Sequence, residues 1–342
     1  MAGNNIYKNN KKTKNKVPGI IGRVAACVGT LLGVVLLFLV SVILILEFGP
    51  SKTARNLFVN SAMESSAGKF MATLFMSDDE IASIRSQNSV KSSDAVTDSG
   101  LINISNNNNS SASDDDIITV EEISGATYKG YMAKIKDPSR VQIGISGEFG
   151  SDHEGKTVTE QAESYGAILA TNGGGFEDPN GTGNGGIPIG IVIHEGQIVW
   201  GSEDKTYEVI GFDYDNKLVV GSMTGKQAVD RRVRDALSFG PILIVNGEPS
   251  VVNGSGSGLN PRTAIGQCAD GTVILLVIDG RSAASLGASY ADLINILLEN
   301  GAVNAANLDG GSSSMMYYKG KIINNCSSLI GDRGIPTSVI VK

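Results

Sequence analysis

Asp309 stands where the strand-like stretch 303–306 gives way to Asn307-Leu308-Asp309-Gly310-Gly311-Ser312. Asp279 directly follows the run TVILLVI at 272–278, with Gly280-Arg281 next. Two further runs carry similar chemistry. The stretch 167–171 ends in Asn172-Gly173-Gly174-Gly175-Phe176, and Asn260-Pro261-Arg262-Thr263 leads into a strand at 264–266. Taken singly, Asp-Gly and Asn-Gly are ordinary turn dipeptides, and Arg262 after Pro261 is most simply a solvated arginine. Together they point further. A carboxylate that follows such an apolar run sits near the core, and a buried acid needs donors or a cation. Arg262 and Arg281 are the cations at hand. Loops at the ends of core strands are a common place for active sites, so these strand ends form the candidate site.

Other chemistries find little support. His153 lies in a polar loop and His194 beside a hairpin turn; with only these two histidines and no G-x-S-x-G elbow, a Ser-His-Asp triad is poorly supported. Neither G-x-x-x-x-G-K-[ST] nor a strand-to-helix G-x-G-x-x-G unit is present. The Gly-rich stretch NGTGNGG at 180–186 reads either as a mobile loop over the site or as a plain connection. Three cysteines make no disulfide framework and no zinc pattern. Cys27 lies in an apolar segment, and Cys268 and Cys326 are either bridged or two unpaired buried thiols. Asp-rich loops could hold Ca²⁺, but no EF-hand spacing supports it, and no cofactor is expected.

The elements that would position these residues are mostly strands. Glu195-Gly196, Asn246-Gly247 and Lys319-Gly320 each separate two strand-like runs, the signature of tight hairpins. The run 272–278 is apolar throughout, as expected of a strand buried on both faces. A terminal strand is expected over 338–341. Two helices are well punctuated: Thr157-Val-Thr-Glu160 is a capping box with Gly166 as the stop, and Ser289-Tyr-Ala-Asp292 begins a helix that Gly301 ends. With Gly at 43 of 342 residues and no strict strand–helix alternation, the expected class is α+β (mixed α/β), with a mostly antiparallel or mixed sheet and few helices.

The chain before this domain is different. Residues 1–23 carry six basic residues and no acid, and the 23 residues 24–46 carry no charge, long enough to cross a bilayer. An uncleaved anchor is the reading, with the basic flank in the cytoplasm and the rest outside. Residues 47–76 read as a helical stalk, and 77–116, rich in Ser, Asn and Asp, as a flexible tether. Asn103 and Asn109 begin weak N-x-S patterns there. A single globular domain then spans 117–342. The total charge is −7 despite the basic start, so the remainder is strongly acidic. That argues against a nucleic-acid partner, though not against a local basic pocket.

Seven motifs occur in an order that resembles the phosphodiester glycosidase family. They are TNGGGF (171–176), PIGIVI (188–193), FGPILIVNG (239–247), NPRTAIG (260–266), VIDGRS (277–282), VNAANLDGGSSSMM (303–316) and RGIPTSVIV (333–341). The resemblance covers the globular part alone. It implies hydrolysis of a sugar 1-phosphodiester, in a cell-wall or exopolysaccharide glycopolymer, with release of the sugar. Carried over by motif, Asn172, Asp279, Asn307 and Asp309 would serve the chemistry, and Gly173, Gly174, Arg262, Thr263, Arg281, Gly310, Gly311 and Ser312 the substrate and its phosphate. An arginine fork suits a phosphodiester anion, with Arg262 first and Arg281 second. Backbone N–H groups of Gly310-Gly311-Ser312 suit its oxygens, and Asp309 with Asp279 suits the positive charge that develops on the sugar. Two departures stand out: Gly175 replaces the usual second aromatic, and Ser312 replaces a third glycine. Two alternatives remain beside hydrolysis: transfer of the sugar to another acceptor, and a non-catalytic polymer-binding or assembly protein.

Overall fold

The computed structural model describes residues 19–65, 68–104, 114–179, 182–328 and 331–342. The basic residues before 19 and the Asn109 pattern lie outside them. The chain divides into two units, Met1–Pro50 and Ser51–Lys342. The first contains the helix Ile20–Phe48, whose 29 residues make it long and apolar enough to cross a membrane.

The second unit is built on antiparallel sheets, and every strand pairing among the described residues is antiparallel. In the largest sheet, seven strands lie in the order Glu248–Pro249, Ile242–Val245, Ala302–Leu308, Arg262–Cys268, Val273–Ile278, Lys129–Ile135 and Ile118–Ser124. A five-stranded sheet runs Lys321–Ile322, Met316–Tyr318, Leu169–Asn172, Thr337–Val341 and Val141–Ile145. A second five-stranded sheet runs Gln197–Trp200, Val192–His194, Val233–Ser238, Thr206–Asp213 and Leu218–Thr224. All three contribute to one core, for example through Ile135, Leu275 and Leu308, Ile143 and Val339, and Phe212 and Leu237.

The strand Val273–Ile278 is buried on both faces, as its composition implies. Val273, Leu275 and Val277 point into the shared core, whereas Ile274, Leu276 and Ile278 pack with Leu293, Ile294 and Leu297 of the helix Tyr290–Glu299. An antiparallel strand thus reaches the burial usually associated with parallel sheets because a helix covers its second face. The three hairpin pairs, Glu195-Gly196, Asn246-Gly247 and Lys319-Gly320, all have positive φ at both residues, as type I′ turns require. Both capping boxes form, and Gly166 ends its helix in the left-handed region.

Within the stretch whose composition suggests a tether, residues 78–97 are folded. Asp78–Gln87 is a helix with a capping box between Ser77 and Glu80. Its Ile81 and Ile84 bury against Val59 and Ala62 of the helix Lys52–Met63. Val90–Lys91 pairs with Val251–Val252, and the Thr97 amide donates to the Val220 carbonyl. Two apolar residues at helical spacing are enough to dock a polar helix when a capped start and a packing partner are both present.

Candidate active site

The strand Arg262–Cys268 runs antiparallel to both its neighbours, with Arg262 opposite Ile278 and Thr263 opposite Leu308. Asp279 and Asp309 therefore emerge beside Arg262 at the same end of the sheet. In the neighbouring sheet Asn172 pairs with Ser338 and is fully buried. Its side chain ties the two sheets together. The amide nitrogen Nδ2 donates to the Asp309 carbonyl at 2.5 Å, and Oδ1 accepts from the Thr263 hydroxyl at 2.7 Å and the Met315 amide at 3.2 Å. The Asp309 amide donates back to the Gly173 carbonyl at 2.9 Å, and the Gly311 amide to the Pro261 carbonyl at 2.9 Å. Three of the strand ends singled out above thus meet directly, held by Asn172 and by backbone hydrogen bonds.

Asp309 lies at the centre. It is partly buried, its Oδ1 accepts from the Gly310 amide at 2.9 Å, and the Ser313 hydroxyl also bonds its carboxyl. Burial pushes its pKa up to about 6, against the pull of those hydrogen bonds and of Arg333. Arg281 has φ +57, and its guanidinium lies over Gly311, where a Cβ would come within 3.2 Å of it. It also donates to the Asn260 side chain at 3.3 Å and keeps exposed surface. Burial of its head and the neighbouring Arg262 charge lower its pKa, while Glu64 and Asp309 counter them.

Arg262 is placed differently. It is 3% exposed, its guanidinium carbon is 4.1 Å from the centroid of the Tyr290 ring, and its nitrogens donate to the Ala288 carbonyl, the Ser257 hydroxyl and the Gly258 carbonyl. Its Nη1 lies 3.7 Å from a carboxylate oxygen of Glu64, the residue that caps the helix Lys52–Met63. Such a fully engaged arginine is a fixed positive charge, whereas Arg281 has the freer head.

The remaining residues divide between the centre and its frame. Asp279 is buried; its carboxylate accepts from the Asn324 side chain and the Asn325 amide, both at 3.0 Å, and burial raises its pKa against those bonds. The amides of Gly173 and Gly174 donate to the carbonyl and hydroxyl of Thr337. Asn307 donates to the Gly240 carbonyl at 2.9 Å, and its Oδ1 is buried without a partner. The Ser312 carbonyl accepts from the Cys326 thiol at 3.4 Å. Cys268 and Cys326 are both free thiols. At Gly175 a Cβ would sit 2.9 Å from the Phe239 ring, so that ring already occupies the wall where the resemblance implies a second aromatic.

One charged group had no role in the reading of the strand ends. Arg333 forks onto Asp178 at 2.7 and 3.0 Å, donates to the Gly183 carbonyl, and packs over Phe176 at 4.9 Å. Burial pushes the Asp178 carboxyl up, but the Arg333 fork and the Gly183 amide outweigh it and hold it low. Both charges act on Asp309. Their sequence signals were Asp178 two residues after Phe176 and Arg333 opening the last motif. Among the described residues, no three His, Cys, Asp or Glu side chains cluster as metal ligands would.

The chain is 31% identical over 210 residues to the SPbeta prophage-derived uncharacterized protein YomE of Bacillus subtilis, covering 57% of this chain and 31% of that one. It is 26% identical over 225 residues to N-acetylglucosamine-1-phosphodiester alpha-N-acetylglucosaminidase of Mus musculus, covering 59% of this chain and 42% of that one. It therefore spans well under half the length of these two relatives. The catalytic domain of the zebrafish enzyme of that name, solved in a form auto-inhibited by its pro-peptide, superposes with a TM-score of 0.54 at 23% identity. That superposition covers 66% of this chain and 81% of the zebrafish one, and shows a shared fold. The model of one family, phosphodiester glycosidase, matches residues 165–342, which include every strand end described above. On that match over more than half its length, the chain belongs to the phosphodiester glycosidase family.

Proposed function

We propose that this protein hydrolyses sugar 1-phosphodiesters at the outer surface of a membrane. The observation that carries the reading is the meeting of a carboxyl with a raised pKa, Asp309, and a residue that keeps exposed surface, Arg281, at one glycine turn. Arg281 holds the phosphodiester anion, with Arg262 behind it as a second positive charge. The Gly310-Gly311-Ser312 turn lets the phosphate approach the backbone closely, since Gly311 has φ +63 and carries no Cβ, which would crowd Arg281 at 3.2 Å.

Cleavage breaks the bond between the anomeric carbon and the phosphate oxygen. The electron pair leaves with the phosphate, water supplies the new oxygen on the sugar, and its proton goes to a carboxylate or to solvent. Positive charge develops on the sugar, and the ionised Asp309 carboxylate opposes it. Phosphate is already a good leaving group, so a strong general acid is not required. Asp178 and Arg333 set the field around Asp309. Asn172 and Thr263 hold the turn in register, and Asp279 holds the 324–325 turn beside it. Asn307 supports the same frame through Gly240, and the Gly173 and Gly174 amides do so through Thr337.

The helix Ile20–Phe48 serves as the anchor, with the basic flank in the cytoplasm. A surface-tethered enzyme of this kind suits sugar–phosphate polymers of the cell envelope. The mouse relative's name makes an N-acetylglucosamine 1-phosphodiester the first substrate to test. The test is a screen of nucleotide sugars and sugar 1-phosphodiesters, with and without chelator, scored for free sugar and for phosphomonoester. Equal release of both, unaffected by chelator, is expected. Tight binding with no release would instead identify a polymer-binding protein, and sugar appearing on an added acceptor would identify a transferase.

A further inference from the structure

The stalk reaches the site. The Ser61 hydroxyl accepts from the Leu259 amide at 2.9 Å, and the Asn88 side chain accepts from the Ser255 amide at 2.8 Å and the Ser255 hydroxyl at 3.0 Å. Ser257 and Gly258, in that same loop, bind the Arg262 guanidinium. At the end of the helix Lys52–Met63, Glu64 sets its carboxylate 3.7 Å from Arg262 Nη1 and within the charge surroundings of Arg281; Arg85 is its other cation, at 3.8 Å. Glu64 lies outside the residues matched by the family model.

Resting on the phosphodiester reading above, we propose that Glu64 is a specificity-determining residue, whose charge tunes the arginine pair to a singly charged phosphodiester and against a doubly charged phosphomonoester. Two arginines favour a phosphomonoester dianion, the product left on the aglycone, over the diester, and the ionised Asp309 beside Arg281 offsets only part of their charge. The Glu64 carboxylate beside them removes one unit. Its repulsion acts once on a monoanion and twice on a dianion, so it weakens product binding more than substrate binding. Its side chain is 29% exposed, close enough to the arginines to be felt and open enough to be replaced without leaving a buried void.

Isothermal titration tests this on the full chain in detergent at pH 8, wild type against Glu64→Gln. The probes are diethyl phosphate, a monoanion, and ethyl phosphate, which has lost its second proton at that pH. Neither has a glycosidic bond, so the measurement does not depend on turnover. The expected result is that the substitution tightens diethyl phosphate by some factor of about 3–10 and ethyl phosphate by about the square of that factor. Asn88→Ala, which loosens the contact with Ser255 without changing charge, should shift both probes equally or not at all. Equal shifts for both probes in Glu64→Gln, or no shift, overturns the assignment. Thermal unfolding of each variant separates a folding defect from a binding change. If the wild type releases no sugar from any phosphodiester, the hydrolase reading falls; the square-law relation between the two probes is scored independently of it.

Discussion

At Asp309 a single side chain links stability, pH and rate. Its pKa in the folded protein is about 6, above the value of about 3.9 for an unperturbed Asp. The folded state therefore holds a proton between about pH 4 and 6 that the unfolded chain releases. The stabilisation from this group is fully present below pH 4 and is lost as pH rises through 6, a difference of about 2–3 kcal/mol. Asp309→Asn, neutral throughout, should remove that dependence and unfold at higher temperature than the wild type above pH 6, as thermal melts across pH 4–8 will read. Turnover should move the opposite way in the wild type. If the ionised carboxylate opposes charge on the sugar, kcat rises as pH passes through about 6, and Asp309→Asn loses at least about a thousandfold in kcat/KM. Near-wild-type rates in that variant would remove Asp309 from the chemistry.

At the scale of elements, the turn that carries Asp309 is held from two sides, and each can be tested. Asn172 makes three hydrogen bonds that join two sheets, and it is fully buried. Asn172→Ala leaves the Thr263 hydroxyl and the Met315 amide without their acceptor, so a loss of about 2–4 kcal/mol in chemical denaturation is expected, together with lower activity. Gly311→Ala acts otherwise. Its φ of +63 strains any side chain there, and a methyl group 3.2 Å from Arg281 pushes the guanidinium by a few tenths of an ångström. KM should rise by about tenfold or more, and the melting temperature should fall as well, because alanine is strained at a positive φ. The hairpins and both helix caps were legible in the chain because each depends on local chemistry: a positive φ pair, or a hydroxyl three residues before an acid. The strands Thr206–Asp213, Leu218–Thr224 and Val233–Ser238 were not, since glycines and buried polar residues such as Asp213 and Asp235 interrupt their alternation. The site was legible as a set of strand ends. What could not be read was which side chains point inward: Arg262 is stacked and saturated, Asp279 serves a neighbouring turn, and Asp178 with Arg333 joins the centre from 155 residues apart in sequence.

At the scale of the whole molecule, the chain combines an apolar helix with an acidic domain. Part of the stretch that composition marked as a flexible tether is folded, together with the stalk, onto that domain: Asp78–Gln87 packs on Lys52–Met63, and Ser61 and Asn88 reach the loop before Arg262. The signal for this was sparse, two isoleucines in a polar stretch, and only the partner surface gives them meaning. That docking makes the fate of the helix Ile20–Phe48 testable in a direct way. An anchor and a cleaved leader both begin with basic and apolar segments, but a leader's apolar core is usually 7–15 residues and is followed by a small-residue cleavage site. Here the uncharged run is 23 residues and Glu47-Phe48-Gly49-Pro50 follows. Expressed in a bacterial host, the full chain should sediment with membranes, resist extraction by high salt and carbonate, and dissolve in detergent. Protease added to intact cells should remove the domain. The detergent-extracted protein should retain the mass of residues from the N-terminus through Lys342, with or without the initiating Met. Recovery of a soluble product that begins near residue 50 would instead make the segment a leader, and would free the domain from the surface where the proposed substrate lies.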